Sequence, residues 1–248
     1  MPTPLQKLCA VIPVQDDDYK LAETVTRLIV AGLDCVLVDN GSTTACADAL
    51  DRLTRQDRVF LLRLPHKQDK GRAVLAGLRE ARQLGYTHAL HVDMQDRYHL
   101  NELPRFARQS AAAPDAVICG YRTSRPLPVA RVPRDNSLVR LAVAVSTLSL
   151  DIKDATCSFR IYPLAPVLCL ATGAHVGSLA AFATDILVRL HWHRQPMYWL
   201  PVTPHAKADC AVRKPGWHDK LVTTRTHLRL LIGMLARAPQ LLWCRWQG

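Results

Sequence analysis

The feature that most constrains this chain is an alternation of short apolar runs with helical patterns over residues 7–120. Each run is closed by a turn signal or by acidic residues, which is typical of strands buried on both faces. Helices between successive buried strands predict a mostly parallel sheet. The predicted strands span 7–14, 35–38, 59–64, 88–93 and 115–120, and the predicted helices span 45–53, 71–84 and 101–112, after a first helix that ends before Gly32.

These elements predict an α/β, Rossmann-like fold with helices on both faces of the sheet, in which ligands bind at the carboxyl ends of the strands. Residues 122–134 hold three prolines and four arginines and predict a basic, irregular loop. A helix over 138–150, a strand over 157–162, a helix over 182–191 and a strand over 197–202 follow. We expect a mixed sheet within one domain spanning residues 1–204.

Residues 205–248 differ in character from the predicted domain. This segment carries eight Lys or Arg residues against two Asp residues, so it holds more than half of the formal net charge of +11. Its apolar residues and tryptophans are interleaved with the basic ones, a composition that interfacial helices use. We predict a basic amphipathic helical segment that docks on an anionic membrane surface. Packing of its apolar face on the domain is the alternative.

The whole chain has 32 Lys and Arg residues against 21 Asp and Glu residues, which favours anionic partners. Nucleic acid is disfavoured, since no zinc finger, RNA-recognition or helix-turn-helix signature occurs. The eight cysteines form no CxxC pair, and several lie in apolar runs, which predicts buried free thiols in a reducing cytoplasm. There is no signal-peptide pattern and no apolar stretch long enough to span a membrane. We expect a cytoplasmic protein, peripheral on the inner membrane if the C-terminal segment docks there.

Acidic residues follow three of the predicted strands. Asp16 and Asp17 follow the first strand, Asp39 the second and Asp93 the fourth. Carboxylates that meet at one sheet edge suit ribose hydroxyls, a base N–H or a divalent metal that holds a diphosphate. Turn formation or helix capping is the alternative for any single one of them. For the whole set, convergence on one ligand is favoured.

The stretch 88–96 is the most informative for a metal. Strand alternation places His91 and Asp93 on one face. Asp93 is followed by Gln95 and Asp96, and oxygen ligands of this kind suit Mg²⁺ or Mn²⁺. Zinc is disfavoured because no matching His or Cys pair completes a tetrahedral site.

Six pieces of the sequence occur in a familiar order: 11–14 (VIPV), 36–43 (VLVDNGST), 70–78 (KGRAVLAGL), 91–93 (HVD), 157–160 (CSFR) and 182–189 (FATDILVR). With them the chain resembles family 2 glycosyltransferases of the GT-A fold, and among these the dolichyl-phosphate sugar transferases and the glycosyltransferases of bacterial aryl-polyene and xanthomonadin pigment clusters. The resemblance covers residues 8 to about 202. It implies transfer of a sugar, with inversion, from a nucleoside-diphosphate-sugar to a lipid-linked or hydrophobic acceptor.

The resemblance also implies a role for each matching residue. Asp17 and Asp39 hold the nucleoside, and Asp93 reaches the ribose and the metal. Asp185 orients the acceptor and is, with Asp93, a candidate catalytic residue. The implied nucleotide-sugar site comprises Pro13, Asp17, Asp39, Lys70, Asp93 and Arg160, with Lys70 and Arg160 on the phosphates. The implied ligands of Mg²⁺ or Mn²⁺ are Asp93, Gln95 and Asp96.

Three positions depart from the family pattern. Gln95 stands at the second aspartate of the Asp-x-Asp motif, and Ala183 stands where many inverting members have the general base. Of the usual Asn-x-Gly-Lys-Gly, only Lys70 and Gly71 remain. One hypothesis is a working transferase whose acceptor is already anionic and needs no base. The alternative is a catalytically weak or inactive glycosyltransferase-like binding or partner protein. We favour the enzyme.

Overall fold

One seven-stranded mixed sheet organises the computed structural model, with strand order β3-β2-β1-β4-β6-β5-β7. The structure describes residues 6–16, 20–94, 100–123, 137–171, 179–203, 224–225 and 228–235. The strands are β1 (Leu8–Val14), β2 (Asp34–Asp39), β3 (Val59–Arg63), β4 (His88–His91), β5 (Val117–Arg122), β6 (Arg160–Pro163) and β7 (Met197–Val202).

Helices connect most of the strands. They are α1 (Leu21–Val30), α2 (Thr44–Leu53), α3 (Lys70–Gln83), α4 (Leu103–Ala112), α5 (Ser137–Thr147), α6 (Leu164–Ala171) and α7 (Leu179–Trp192). A short 3₁₀ turn (Leu100–Glu102) precedes α4, and residues 228–235 are also helical. The α6 helix was not predicted from the sequence.

The strands run parallel except for β6, which is antiparallel to both of its neighbours, β4 and β5. The other pairings, β1 with β2 and β4, β2 with β3, and β5 with β7, are parallel. The predicted mostly parallel mixed sheet with helices on both faces is therefore confirmed. The sequence predicted a strand near β6 but not its direction.

The core consists of two apolar layers, one on each face of the sheet. Alternate β1 residues separate between them, with Cys9 and Val11 in one layer and Ala10 and Ile12 in the other. The Cys9 layer packs against α3, α5, α6 and α7, and the Ala10 layer against α1, α2 and α4. A Cβ on Gly77 would lie 2.5 Å from Val11 Cγ1, so this glycine lets α3 approach the sheet closely.

The thiols follow the sequence-based prediction with one exception. The free cysteines 9, 35, 46, 119 and 157 are buried, whereas Cys169 is exposed, so the prediction of burial is wrong for Cys169. The predicted thiols at 210 and 244 lie outside the described residues. Within the described part of the chain, every helix is too short or too polar to cross a membrane.

Candidate active site

The carboxyl ends of β1, β2 and β4 bring the predicted donor-site residues to one edge of the sheet. Pro13 pairs in register with Val38, next to Asp39. His91 pairs with Val11, and Asp93 lies two residues beyond it, level with Pro13. The structure thus places Pro13, Asp39 and Asp93 together at this edge, as the strand pattern predicted. Asp17 lies outside the described residues.

Asp39 is 6% exposed and forms the turn that follows β2. The Ser42 N–H donates to Oδ1 of Asp39 at 3.0 Å, and Arg63 Nε lies 3.5 Å from Oδ2. The turn-forming alternative is therefore realised at this residue. This role in the turn is compatible with a position in the donor site, because Asp39 is the last residue of β2 and lies at the carboxyl edge of the sheet.

The Asp16 carboxylate contacts the start of α2 and not the start of α1. The φ of Asp16 is 56°, and the Thr43 N–H at the start of α2 donates to Oδ1 of Asp16 at 2.7 Å. This backbone hydrogen bond holds the pKa of Asp16 below its usual value. Asp16 therefore does not cap α1, the helix that follows it in the chain, because the left-handed backbone turns its carboxylate toward Thr43 before α2. The N-cap of α1 is Lys20.

Asn40 is a site residue that sequence reasoning missed. It is 1% exposed, its Nδ2 donates to the Gln68 carbonyl at 2.8 Å, and its Oδ1 accepts from the Gln68 N–H at 2.8 Å. Next to it, Gly41 has a φ of +70°, and a Cβ there would lie 2.9 Å from the Lys67 nitrogen. These contacts press the loop before α3 onto the end of β2. The sequence signal was the Asp-Asn-Gly triplet, which indicated only a turn.

Docking of this loop sets the position of Lys70. Lys70 is the first residue of α3, and its side chain is half-buried. The N-terminus of a helix carries unpaired amides and a partial positive charge, which favour anions. The N-terminus of α3 therefore lies beside the end of β2 that carries Asp39.

Asp93 follows the last residue of β4, and its side chain is half-buried. Leu90 and Val92 lie together in the layer beside α1, α2 and α4, which confirms the predicted alternation. Gln95 and Asp96, the other predicted metal ligands, lie outside the described residues. Among the residues that are described, no group of three or more His, Cys, Asp or Glu residues is arranged to hold a metal ion.

Arg160 is part of the protein core. It has no exposed surface, and its guanidinium donates to the carbonyl oxygens of Ala155 at 2.7 Å and Ala183 at 2.9 Å. A third bond reaches the Tyr162 hydroxyl at 3.2 Å. The sequence-based prediction placed Arg160 on the donor phosphates. A guanidinium without exposed surface that is committed to these acceptors is not available to a solvent-borne diphosphate, so this residue is corrected to a structural role.

Arg122 and Asp154 form a buried ion pair that the sequence did not reveal. Arg122 Nε lies 2.8 Å from Oδ2 of Asp154, and Nη2 lies 2.9 Å from Oδ1. Asp154 also accepts the N–H groups of Thr156 and Cys157, each at 3.0 Å. Burial opposes the charge, but the Arg122 hydrogen bonds outweigh it and lower the pKa of Asp154. This pair holds the segment before β6 against the end of β5.

Two polar groups of α7, the Ala183 carbonyl and the Asp185 carboxylate, lie in the protein interior. The Ala183 side chain is buried, and its carbonyl receives the Arg160 bond described above. Asp185 is 1% exposed, and Arg189 Nε donates to its Oδ2 at 2.7 Å. Asp185, the predicted acceptor-orienting residue, is therefore held inside the protein by an ion pair within its own helix.

Comparison with known families identifies the chain. Residues 9–167 match the model of "Glycosyl transferase family 2", which is more than half of the chain, so the protein belongs to this family. A search of curated proteins gives no match.

Solved structures share the fold at low identity. Glucosyl-3-phosphoglycerate synthase from Mycobacterium tuberculosis, in complex with Mn²⁺, UDP and phosphoglyceric acid, has a TM-score of 0.66 at 11% identity, over 92% of this chain and 78% of that one. The mannosyltransferase PcManGT from Pyrobaculum calidifontis, in complex with GDP-Man and Mn²⁺, has a TM-score of 0.57 at 16% identity, over 93% and 64%. Mannosyl-3-phosphoglycerate synthase from Rubrobacter xylanophilus has a TM-score of 0.62 at 12% identity, over 95% and 75%.

Proposed function

We propose that this protein transfers a sugar from a nucleoside-diphosphate-sugar to a lipid-linked acceptor whose attacking oxygen is already ionised. One observation carries the proposal. Pro13, Asp39 and Asp93 meet at the carboxyl edge of the sheet, whereas Asp185, the one carboxylate of α7, is buried against Arg189. The edge supplies groups that suit a nucleotide, and α7 supplies no accessible base.

In this proposal the nucleoside lies against the ends of β1 and β2. Pro13, Asp17 and Asp39 hold it, and the Asn40 contacts with Gln68 shape the wall of the site beside them. Asp93 reaches the ribose. Nucleotides in the glucosyl-3-phosphoglycerate synthase and PcManGT structures support a nucleotide site in this fold.

In this proposal a divalent cation is the cofactor. Asp93 would supply one carboxylate, and Gln95 and Asp96, which follow it in the sequence, would supply further oxygens. Both of those structural neighbours contain Mn²⁺. When bound, Mg²⁺ or Mn²⁺ neutralises charge that develops on a departing diphosphate. Gln95 offers a neutral carbonyl where the family has a second carboxylate, so we expect weaker metal binding than a pair of aspartates gives.

Stabilisation of the leaving group then depends more strongly on this chain's own cations. Lys70, at the N-terminus of α3, faces the same edge and supplies charge-assisted hydrogen bonds to phosphate oxygens. Arg160 does not contribute, since its guanidinium is committed to Ala155, Ala183 and Tyr162.

The charge of the acceptor is inferred from Ala183 and Asp185, the two residues of α7 at which a general base was considered. A neutral hydroxyl needs a general base, whereas a phosphate or carboxylate oxygen does not. Ala183 supplies no base and Asp185 is paired, which supports an anionic acceptor. Asp185 acts in this proposal as a positioning residue that orients the acceptor through the first turns of α7. The basic, apolar C-terminal segment supports a lipid-linked acceptor, and the family resemblance supports inversion.

The same observations favour a second function. With Ala183 and Gln95 in place of carboxylates, the protein is alternatively a catalytically weak or inactive member of the family that binds a nucleotide-sugar for a partner. The two functions differ in turnover and not in donor binding.

Donor binding is tested by thermal shift with UDP, GDP and TDP, each with and without Mn²⁺. A ligand at 100 times its Kd stabilises the fold by about 2.7 kcal/mol. For a chain of this size that raises Tm by about 5–10 °C. Asp39→Asn should reduce the shift, and Asp48→Asn, exposed on α2, should preserve it. No shift with any nucleotide contradicts the donor site. A shift without metal-dependent hydrolysis of any nucleotide-sugar favours the binding protein.

A further inference from the structure

Two helices expose large apolar side chains on the same layer of the molecule. On α5, Leu141 is 62% exposed and Val145 is also exposed. In the helical stretch 228–235, Leu228, Ile232 and Leu235 are between 57% and 67% exposed. Positions 228, 232 and 235 share one helical face. These five side chains form what we term the apolar–basic surface, together with the arginines described below.

Trp192, at the end of α7, joins the two helices. Its Nε1 donates to the Ser146 carbonyl of α5 at 2.9 Å. Its ring also faces residues 228–235, because a Cβ on Gly233 would lie 2.8 Å from Cη2 of Trp192. The exposed side chains of both helices therefore flank one indole ring.

Residues 228–235 present different faces inward and outward. Leu230 and Met234 are buried, and Leu230 belongs to the core layer that contains α7. This face packs on the domain, as one of the two sequence-based hypotheses expected. The outward face is nevertheless as apolar as the inward one. Packing on the domain thus leaves a second apolar face without a partner among the described residues.

The exposed charges on the two helices are positive: Arg140 on α5, and Arg225 and Arg229 in the C-terminal segment. One exposed carboxylate, Asp151, follows α5 and acts on His191 next to Trp192, so cations outnumber anions here by three to one. In the sequence, residues 220–248 contain five Lys or Arg residues and no Asp or Glu. A second copy seated on this surface would bring like charges together, which is unfavourable. An anionic lipid surface matches both the apolar side chains and the charge.

We propose that the apolar–basic surface, with α5 as an integral part, docks the protein on an anionic membrane. The inference deepens the proposed function and rests on it for the acceptor. Ala183 lies near the site end of α7 and contacts Arg160, and Trp192 lies nine residues further along the same helix. That separation is about 14 Å along the helix axis. A docked molecule would hold the acceptor side of the site within reach of lipid headgroups.

The test is co-sedimentation of the full chain at low salt with vesicles of phosphatidylcholine and phosphatidylglycerol in a 70:30 ratio. We expect Ile232→Gln with Leu141→Gln to lower the partition coefficient about tenfold or more. Arg140→Gln and Arg229→Gln should each lower it about fivefold. Val30→Gln and Arg55→Gln, exposed on the opposite layer or beyond α2, are the matched controls and should bind as the wild type does.

The outcomes separate the inference from the proposed function. Absence of wild-type binding, or equal binding by surface and control variants, overturns the docking surface. Light scattering that shows a dimer, dissociated by Ile232→Gln without any vesicle binding, overturns it in favour of an interface between copies. Each variant is also tested for its nucleotide thermal shift. Vesicle binding without any nucleotide shift supports the docking surface and contradicts only the donor site.

Discussion

The two halves of the carboxyl edge use polar side chains in opposite ways. In the β1–β4 half, Asp16 is exposed and Asp39 is buried, and each carboxylate accepts a backbone N–H group at the sheet edge. In the β5–β6 half, Arg160 is buried, and Asp154 forms an ion pair with Arg122. Buried charges are costly unless they are hydrogen-bonded, and those in the second half are. The first half uses its polar side chains to fix the turns at the edge that carries Pro13 and Asp93, and the second uses a guanidinium and an ion pair to fix its own strands.

This difference predicts which substitutions would disturb each half. Asp39 organises the turn after β2 and also lies at the edge, so a substitution there would disturb both. Ala183 lies in a helix whose neighbouring carboxylate, Asp185, is satisfied internally. At position 183 the backbone carbonyl accepts a hydrogen bond from Arg160, and this contact does not depend on a carboxylate in the side chain. Five predictions test the contrast.

The largest effect is expected in the second half. Asp154→Ala leaves the half-buried Arg122 without its carboxylate and removes the buried acceptor of two backbone N–H groups. Breaking a buried pair costs about 3–5 kcal/mol, measured as the free energy of unfolding in urea. Asp151→Ala, exposed in the same segment, should cost less than about 0.5 kcal/mol. A similar small loss for both variants would show that the pair does not hold this half.

Asp93→Ala tests the first half. If Asp93 contacts the ribose and the metal, its removal should lower metal-dependent hydrolysis of the nucleotide-sugar about 10²–10³-fold, since metal and charge interactions at the leaving group are lost. The free energy of unfolding should change little, because Asp93 is half-buried at the rim. Asp57→Ala, exposed in the turn before β3, is the control. Unchanged hydrolysis places the donor elsewhere.

Arg160→Lys tests whether Arg160 stabilises the fold and does not bind the nucleotide. Lysine keeps the charge but cannot reach all the acceptors that the guanidinium satisfies, so the free energy of unfolding should fall by about 2–3 kcal/mol. The nucleotide-induced rise in Tm should persist. Lys70→Ala should do the reverse, weakening nucleotide binding about tenfold while sparing stability. If Arg160→Lys abolishes the nucleotide shift, the structural role assigned to Arg160 is wrong.

Gln95→Asp restores the family carboxylate. Because divalent-cation affinity rises with the charge of the ligands, Mn²⁺ should bind about tenfold more tightly in the presence of a nucleoside diphosphate. Calorimetric titration of the wild type and the variant measures this difference. Equal affinities would mean that position 95 does not face the metal.

The smallest effect concerns pH and two histidines, His88, which is buried, and His191, which is half-buried. Burial lowers the pKa of His88 on β4 and of His191 on α7 below the usual 6.5. The unfolded chain therefore binds protons first, so stability is full above pH 6.5 and falls as the pH drops toward the folded-state values. The urea midpoint should be lower at pH 5.5 than at pH 7.5. His88→Gln should reduce this difference, and His66→Gln, in an exposed loop, should not.

The first half of the fold could be predicted almost residue by residue. The runs that became β1 to β4 are mostly apolar, and each ends at, or two residues before, an Asp or a Pro. Three of them, β1, β2 and β4, are buried by strand–helix packing that the sequence encodes directly. The convergence of Pro13, Asp39 and Asp93 follows from parallel strands sharing one edge.

The second half resisted prediction for physical reasons. The run that became β6 contains no signal of direction, since apolar alternation is the same in either sense. In α6, Pro166 within an eight-residue apolar run obscured the helix. The buried state of Arg160 depends on carbonyl oxygens of Ala155 and Ala183, and a sequence pattern carries no information on backbone acceptors. The family resemblance and the charge of Arg160 indicated a phosphate ligand there.

The insertion of β6 between β4 and β5 has a consequence for synthesis on the ribosome. The β5 strand pairs only with β6 and β7, which are translated later, although β4 precedes it in the chain. The nascent chain therefore carries an apolar strand with unpaired edges from residue 122 until Arg160 emerges. At ordinary elongation rates that interval lasts about 2–8 s. Nascent chains stalled within it should expose β5 to chaperones, whereas those stalled beyond β7 should not.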